Sequence, residues 1–501
     1  MAPLKTEPSL IKTLPAEGIS PAELFQMLDW PGPSFLFNGS KGGWFDGDYS
    51  LLGALPFGRF RSKRRTHRFD GLIPGRQRTT YSTGDPLEAL QHWLDRFQIT
   101  PFESESSAQL PLPTGGAIGF FSYELARQFE RLPETTDTDD FPDIDLLFVH
   151  FYVMMDHRQD LIHLVYNPQP EIQMGCPSAT VFEKGYEALR SLEEKVIRAR
   201  QRGAPDTLPK SQGINDAQPI TATTDCSEKT YQEMVHRAKT YIAAGDIFQA
   251  NLSHQFSAPC PFNSLFSLYT RLWKINPSPF SCYLDFADLQ IASASPERLV
   301  RIRTENGKRI AETRPIAGTR PRGGDAPQDK ALVSSLYQSE KERAEHLMLV
   351  DLERNDLGRV CKYGSITVDA LMALEQYSHV SHLVSNIRGE LAEGITPLNT
   401  LKALFPGGTI TGVPKIRCME IISELEQKAR GLYTGAIGYI GFDGDMDLNI
   451  AIRTWVRHKD RMMFRVGAGI VADSDPEKEY QETLQKAAAL TAALHPEHRR
   501  G

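Results

Sequence analysis

Long apolar runs and clustered cysteines are both missing from this chain of 501 residues. No apolar stretch approaches the roughly 18 residues needed to cross a bilayer, and the N-terminal residues lack a signal-peptide pattern. We therefore expect a cytoplasmic protein that does not enter a membrane. The six cysteines are scattered without C-x-x-C spacing, which favours reduced, mostly buried thiols over a disulfide framework or a zinc site.

An excess of positive charge is also missing. The net charge is -7, from 56 Lys and Arg against 63 Asp and Glu. Nucleic-acid binding depends on clustered basic side chains, so the sequence argues against a nucleic-acid partner. The one basic run, residues 59–68, is more typical of a solvated edge strand or loop. Neither a P-loop nor a protein-kinase signature is present, which counts against a phosphoryl-transfer enzyme.

The composition that remains is that of an ordinary globular protein, with 40% hydrophobic and 24% charged residues. The length exceeds one usual hydrophobic core. A polar segment rich in Pro, Gly and Gln separates two parts of the chain and is typical of a flexible linker. We predict an N-terminal region over residues 1–200, a linker over 201–221 and a second domain over 222–495.

Helical and strand patterns mix without a strict βαβ repeat, which predicts an α+β fold with large, mostly antiparallel sheets. One helix is predicted to be capped near Asp85 and another to run from residue 226 to Gly245. A hairpin of two strongly apolar strands is predicted around residues 156–160. Further strands are predicted over 280–286, 289–294, 299–303, 435–442, 450–456 and 463–468.

Two pairs of glutamates with E-x-x-E spacing are the strongest chemical signal. Glu342 and Glu345 form the first pair, Glu479 and Glu482 the second, and both segments carry apolar residues at helical spacing. Each pair therefore lies one turn apart on one helix face. Four carboxylates at one site need a cation, and hard oxygen ligands suit magnesium. A lone pair of this kind is more often a solvated helix face, so the surrounding motifs decide between the two interpretations.

Glycine-rich, turn-dense segments accompany these glutamates in a fixed order. They are GDIFQANL, SASPER, ETRPIAGTRPRG, YSHVSHLVS, FPGGTITGVPKIRCMEII, RGLYTGAIGYIGFDGDMDLNIAIRT and GAGIVADSDPEKEYQET. The series resembles the chorismate-binding enzymes, which include the large subunits of anthranilate and aminodeoxychorismate synthases and the isochorismate and salicylate synthases. The resemblance covers residues 222–495 and implies that this domain binds chorismate and is catalytic. It also implies an anthranilate synthase component I-like fold, in which two sheets pack as a sandwich with flanking helices and a cleft between them.

The resemblance implies a role for each candidate ligand. Glu345 and Glu482 would coordinate Mg2+, while Glu342 and Glu479 would hold its water shell. A guanidinium suits a carboxylate because it donates two parallel hydrogen bonds, and glycines let backbone N–H groups approach an anion. The substrate-binding residues would be Tyr433, Arg453, Gly467 and Gly469 at the enolpyruvyl carboxylate, and Gly318 and Thr319 in a loop that closes over the ring.

Three further residues are candidates for the chemistry. His382 matches a histidine near the departing ring hydroxyl, where an imidazole can donate a proton; His379, one turn earlier, is interpreted as a core residue. Thr409 belongs to a second loop that closes over the ring. Lys486 lies one turn after Glu482 and pairs either with a substrate carboxylate, the interpretation we favour, or with Glu482 itself.

Gln249 indicates the nucleophile. In the isochorismate and salicylate synthases the matching position is a lysine that activates water, whereas the ammonia-using members carry glutamine. A neutral amide cannot deprotonate water but can hydrogen-bond ammonia. The chain lacks a G-x-C-x-G nucleophile, so the resemblance implies a separate glutamine amidotransferase subunit as the ammonia source.

The branch of the family decides the product. Ala317 stands where many aminodeoxychorismate synthases have a lysine, which favours anthranilate synthase and the release of anthranilate and pyruvate. The segments GDIFQANL, SASPER, DLERNDLGRV and PGGTITG, and the absence of an LLES segment, instead favour aminodeoxychorismate synthase. We prefer the second interpretation, which gives 4-amino-4-deoxychorismate for p-aminobenzoate and folate. A non-catalytic amidotransferase-binding subunit is the remaining alternative, although all four glutamates are retained.

Overall fold

The computed structural model describes residues 9–99, 114–136, 140–202, 220–262, 264–376 and 380–495. Within these ranges the chain forms two sheets of twelve strands each, in which the paired strands of the sandwich run antiparallel. Helices cover the outer faces of both sheets. The predicted α+β sandwich is therefore confirmed.

The first sheet has the spatial order β1 (Leu10–Pro15), β10 (Leu161–Tyr166), β9 (Phe151–Asp156), β3 (Tyr49–Ala54), β2 (Ser34–Phe37), β13 (Phe280–Asp285), β14 (Leu289–Ser295), β23 (Thr454–His458), β24 (Arg461–Ile470), β12 (Gln249–Pro259) and β11 (Thr223–Thr224). A short strand, β20 (Gly412–Val413), pairs with the start of β12.

The second sheet has the order β17 (Ile316–Pro321), β19 (Val380–Glu390), β16 (Lys308–Arg314), β15 (Arg298–Glu305), β22 (Met446–Ile450), β21 (Ala436–Gly441), β7 (Gly116–Phe121), β8 (Ile144–Val149), β4 (Gly58–Lys63), β5 (Thr66–Gly71) and β6 (Arg78–Thr83). The remaining strand, β18 (Thr367–Gln376), pairs with β19.

The helices are α1 (Pro21–Leu28), α2 (Pro86–Phe97), α3 (Gln169–Gln173), α4 (Ser178–Arg202), α5 (Glu228–Ala243), α6 (Phe266–Ile275), α7 (Ala326–Gln338), α8 (Glu340–Gly358), α9 (Pro397–Leu404), α10 (Lys415–Glu426) and α11 (Pro476–Ala492). Both helix predictions are confirmed. Asp85 caps α2 by accepting from the backbone N–H groups of Leu87 and Glu88, and Ser227 caps α5.

The inner strands of each sheet are buried on both faces. Along β8, Leu147 and Val149 join the core between the two sheets, whereas Leu146 and Phe148 join the core beneath the helices. Because successive side chains of a strand point to opposite faces, such strands read as continuous apolar runs. None of the described helices is long and apolar enough to cross a membrane.

Both sheets combine strands from the two sides of the predicted linker. In the first sheet β2 pairs with β13, and in the second sheet β7 pairs with β21. Residues 1–200 and 222–495 therefore share one sandwich in the described part of the chain. Most of the predicted linker, residues 203–219, lies outside the described residues.

Two strand predictions are wrong in instructive ways. The predicted strand over residues 450–456 is the end of β22 and the start of β23, which belong to different sheets, so that Ala451 to Arg453 carry the chain across the sandwich. The basic run does not begin on an edge strand, because β4 lies between β5 and β8. Its Arg59 and Arg61 pair instead with the buried Asp145.

Candidate active site

The predicted site residues come from both sheets and from two helices. They lie on β12, β17, β19 and β24, on α8 and α11, and in the turns at residues 408–410, 430–434 and 451–453. Hydrogen bonds and close approaches link most of these elements in one region.

Gln249 is the first residue of β12 and is 4% exposed. Its Nε2 donates to Oε1 of Glu345 at 3.3 Å, which ties β12 to α8. A Cβ atom at Gly469 of β24 would lie 2.5 Å from the same Nε2, so this glycine leaves room for the amide. Oε1 of Gln249 is buried and has no hydrogen-bond partner among the described residues. The amide therefore offers an unused acceptor to a small ligand.

The first glutamate pair lies on α8, where Ser339 caps the helix by accepting from the backbone of Glu342. Oε1 of Glu342 pairs with Nη1 of Arg320 at 2.5 Å. Its Oε2 is buried without a hydrogen-bond partner in the described ranges, and lies 3.2 Å from where a Cβ of Gly318 would be. Gly318 has φ +89°, a left-handed conformation that favours glycine. The loop at Gly318 therefore lies beside the first glutamate pair.

The second pair lies on α11, which begins after the cap Asp475. Oε1 of Glu479 accepts from the Ser474 hydroxyl at 2.6 Å. Glu482 pairs with Lys486 at 2.8 Å, and Lys486 also donates to the carbonyl of Gly467 at 2.9 Å. Glu482, one of the two partners considered for Lys486, is therefore in contact with it, and pairing with a substrate carboxylate stays a prediction.

The four glutamates have donor chemistry that fits a hard cation. All four are carboxylates, the ligand type that a hard cation prefers. Glu345 is linked to Gly469 of β24 through Gln249, and Glu482 is linked to Gly467 of β24 through Lys486. Glu342 keeps one buried oxygen without a partner in the described part of the chain. Among the described residues, no three His, Cys, Asp or Glu side chains lie close enough together to form a ligand set. Mg2+ therefore stays a prediction for this site.

Tyr433 lies beside the glycines of β24. A Cβ at Gly467 would lie 2.8 Å from its hydroxyl, which is 3.5 Å from Oδ1 of Asn251. Burial raises the pKa of Tyr433 to about 12, so the phenol keeps its proton at neutral pH. It can therefore donate a hydrogen bond to an anionic ligand.

The sequence predicted that Arg453 lies in a strand. It lies instead in the crossing between β22 and β23, with φ 51°. Burial lowers the pKa of its guanidinium, against the opposing charge of Glu297, yet an arginine stays charged at neutral pH. Within the described residues the guanidinium forms no hydrogen bond or salt bridge. An enclosed cation of this kind is stabilised by a bound anion.

Glu297 is a functional candidate that the sequence reasoning missed. It follows β14, is 6% exposed, and has a buried Oε1 without a hydrogen-bond partner in the described ranges. Burial raises the pKa of this carboxyl to about 7, opposed by the Thr409 hydroxyl, the Ile316 backbone and the charge of Arg453. A carboxyl with a pKa near neutrality is suited to proton transfer. Its position in the SASPER segment, between β14 and β15, was the available signal.

His382 lies on β19 and is 3% exposed. Burial and then the charge of Arg453 lower its pKa to about 4, so the imidazole is neutral at neutral pH and lacks the extra proton that an imidazolium would donate. Thr319 stands opposite His382 in the register of β17 and β19. His379 lies outside the described residues.

Arg430 is a second residue that the sequence reasoning missed, and its side chain holds several elements of the site together. It is 3% exposed and pairs with Glu426 at 2.6 Å. Its Nη2 donates to the carbonyl of Asn251 at 2.6 Å, its Nη1 to that of Ile410 at 3.3 Å, and its guanidinium lies 5.5 Å from the ring centre of Tyr433. One side chain therefore fixes β12, the turn that carries Thr409, and the tyrosine.

Buried oxygens without partners are concentrated here. They belong to Gln249, Glu297, Glu342 and Thr409. Buried polar atoms are normally hydrogen-bonded, so these four oxygens, together with the charge of Arg453 beside Glu297, indicate a site for a small, polar, anionic ligand.

Known proteins resemble this chain over most of its length. A family model described as chorismate binding enzyme matches residues 59–492. Aminodeoxychorismate synthase component 1 of Bacillus subtilis (strain 168) is 41% identical over 451 residues, which cover 89% of each chain. Anthranilate synthase component 1 of Acetivibrio thermocellus is 38% identical and covers 95% of this chain and 92% of its own length. The crystal structure of anthranilate synthase component I from Streptococcus pneumoniae TIGR4 matches with a TM-score of 0.73 at 34% identity, over 89% of this chain and 92% of that one.

Proposed function

We propose that this chain, which belongs to the chorismate-binding enzyme family, aminates chorismate with ammonia and releases 4-amino-4-deoxychorismate. The chain is a chorismate-utilising enzyme of the aminodeoxychorismate and anthranilate synthase type. Mg2+ dependence, the identity of the nucleophile and the product are the proposed parts.

The observation that carries the choice of ammonia is the environment of Gln249. Its Nε2 is engaged by Glu345, whereas its buried Oε1 has no partner among the described residues. That oxygen can accept an N–H bond from ammonia and orient its lone pair towards the ring. The amide has no basic group with which to deprotonate water, so the site favours amination over hydration.

The charges of the site suit the two carboxylates of chorismate. Arg453 and the Tyr433 hydroxyl would hold the enolpyruvyl carboxylate, since the guanidinium is charged and unpaired within the described residues. Bound by Glu345 and Glu482, with Glu342 and Glu479 in support, Mg2+ would supply positive charge for the ring carboxylate.

Proton transfer falls to Glu297 in this proposal. A C–N bond forms as the ring C–O bond breaks, and the departing hydroxyl takes a proton from the Glu297 carboxyl and leaves as water. The attacking nitrogen then gives up a proton, which restores the acid. The pKa of about 7 lets this carboxyl act in both directions near neutral pH. His382, neutral at that pH, would donate a hydrogen bond rather than a proton.

Anthranilate synthase is the second candidate, and Ala317 favours it. This residue is 6% exposed, and its carbonyl lies 3.2 Å from Nδ1 of His346. His346 is fully buried, and its Nε2 lies 2.6 Å from the Ser385 hydroxyl. The enclosed methyl group supplies no amine that could attack the ring, so ammonia must attack it directly, as in the synthesis of anthranilate.

The relatives named component 1 imply a second component, and we extend this to the chain as a glutamine amidotransferase subunit that supplies ammonia. The branch is tested by incubating the enzyme with chorismate, Mg2+ and ammonium, with and without aminodeoxychorismate lyase. The proposal expects p-aminobenzoate only when the lyase is present. Anthranilate and pyruvate released without lyase would assign the chain to the other branch.

A further inference from the structure

A large aromatic side chain stands exposed beside the ammonia site. Phe248 is 69% exposed, although it directly precedes Gln249, which is 4% exposed. Neighbouring residues of an extended chain point to opposite sides, so the amide faces the site and the phenyl ring faces out. The backbone N–H of Phe248 donates to the carbonyl of Val413 at 2.8 Å. The ring is therefore held outward by ordered backbone rather than by a loose loop.

A second apolar side chain extends this surface. Ile416, in the first turn of α10 and three residues after Val413, is 46% exposed. The ring of Tyr241 on α5 lies under the guanidinium of Arg417 at 5.4 Å. We call Tyr241, Phe248, Ile416 and Arg417 the 248/416 surface. Single exposed apolar residues are common, but aromatic, aliphatic and arginine side chains grouped together are typical of the centre of a protein interface.

The charges around the 248/416 surface are paired with one another. Arg417 pairs with Glu420 at 2.8 Å and with Asp246 at 3.7 Å, and Arg237 pairs with Glu424. Two cations therefore face three anions, and the rim has no positive excess to attract a nucleic acid or an anionic lipid surface. A mixed, balanced rim around an apolar centre complements a globular protein partner.

The position of the surface identifies that partner. Ammonia released into water becomes mostly ammonium, which has no free lone pair, so its source is best placed next to the group that receives it. Resting on the proposed function, we propose that the glutamine amidotransferase subunit docks on the 248/416 surface. Docking there places the ammonia source against the outer side of the chain segment whose inner side carries Gln249, and Phe248 is the anchor that enters a pocket of the partner.

Substitutions of Phe248 test the contact without touching the proposed active-site residues. Phe248→Ala removes the anchor, and Phe248→Glu adds a charge that the interface must desolvate. Tyr81→Ala is the matched control, because Tyr81 is 68% exposed but lies on β6 of the second sheet. Each variant is assayed with a glutamine amidotransferase subunit from the same organism, once with glutamine and once with ammonium as nitrogen source, and its affinity for that subunit is measured by calorimetry.

We expect both Phe248 variants to weaken subunit binding and glutamine-dependent synthesis by about tenfold or more, while ammonium-dependent synthesis stays within about twofold of wild type. Tyr81→Ala should resemble wild type in all three measurements. Unchanged affinity in Phe248→Glu, or an equal loss with both nitrogen sources, would overturn the docking site. So would a lower oligomeric mass of the chain alone in Phe248→Glu, since the surface would then join two copies of this chain.

Failure of the proposed function gives a different result. Wild-type enzyme that makes no amino product from ammonium would contradict the amination itself. Wild-type enzyme that uses ammonium but neither binds the subunit nor uses glutamine would leave amination in place and overturn both the partner and its docking surface.

Discussion

Replacing Gly469 by alanine would displace the amide of Gln249 in a way that can be worked out from the structure. The new Cβ would lie 2.5 Å from Nε2, whereas van der Waals contacts begin at about 3.5 Å. The amide must therefore move by about 1 Å and leave its 3.3 Å contact with Glu345. A misplacement of about 1 Å costs about a hundredfold in rate. The φ of Gly469 is outside the left-handed region and the obstructing atom ends a flexible side chain, so we expect a stability loss of at most about 1 kcal/mol.

The assay compares the ammonium dependence of chorismate amination with the melting temperature of each variant. Gly469→Ala should lower kcat/KM for ammonia by about a hundredfold, or ~2.7 kcal/mol, with little change in KM for chorismate. Gly358→Ala is the matched control, because the nearest atom to its new Cβ is Ile366 Cδ1 at 3.9 Å. Normal ammonia kinetics in a folded Gly469→Ala enzyme would refute the assignment of Gln249 to the nucleophile.

Three further outcomes follow from the same site. Glu345→Gln or Glu482→Gln keeps side-chain size but removes a ligand charge, so activity should fall by orders of magnitude at nearly unchanged melting temperature, and Mg2+ binding measured by calorimetry should weaken; wild-type Mg2+ affinity in both would exclude them as ligands. Gln249→Lys supplies a base, so amination should be lost and some isochorismate-like product should be detectable by mass spectrometry; unchanged amination would place residue 249 outside the site. In the proposed step the acid form of Glu297 donates the proton, and its pKa is about 7. The rate per free ammonia should therefore fall as the pH rises through about 7. This alkaline decrease should be missing from the residual activity of Glu297→Gln, and an identical pH profile in both enzymes would assign the proton to another group.

The stability of the folded protein should respond to Glu297 in the same direction. Burial raises its folded pKa from 4.5 to about 7, so folding favours the protonated form. Its contribution to stability is fully present below the unfolded pKa and is lost as the pH rises towards 7. Glu297→Gln should therefore flatten the decrease in melting temperature between about pH 4.5 and 7.

Local patterns were sufficient for the parts of the site that depend on one helix or one turn. The E-x-x-E pairs do lie on α8 and α11, because helical spacing fixes which side chains share a face. The glycines of β24 do stand next to Gln249 and Tyr433, where a Cβ would collide. The cap at Asp85 was likewise predicted from the sequence.

The remaining features depend on contacts between distant segments. The sequence of this run cannot show that the chain leaves one sheet and enters the other at Arg453, because the sheet that each strand joins is set by its pairing with distant strands. The pKa of Glu297 is set by burial against segments far away in the chain, and the partners of Arg430 come from β12 and from the turn at Ile410. The spacing of Lys486 and Glu482 in the sequence could not show whether the lysine contacts Glu482, and the folded structure shows that contact.

The central claim, that this enzyme adds ammonia to chorismate, is tested most directly with isotopic nitrogen. Wild-type enzyme is incubated with chorismate, Mg2+ and 15N-labelled ammonium, and the product is identified by mass spectrometry. We expect chorismate to be consumed only when ammonium is present, and each product molecule to carry one labelled nitrogen. Consumption at the same rate without ammonium, with a product that contains no nitrogen, would contradict the account and place the enzyme among those that use water.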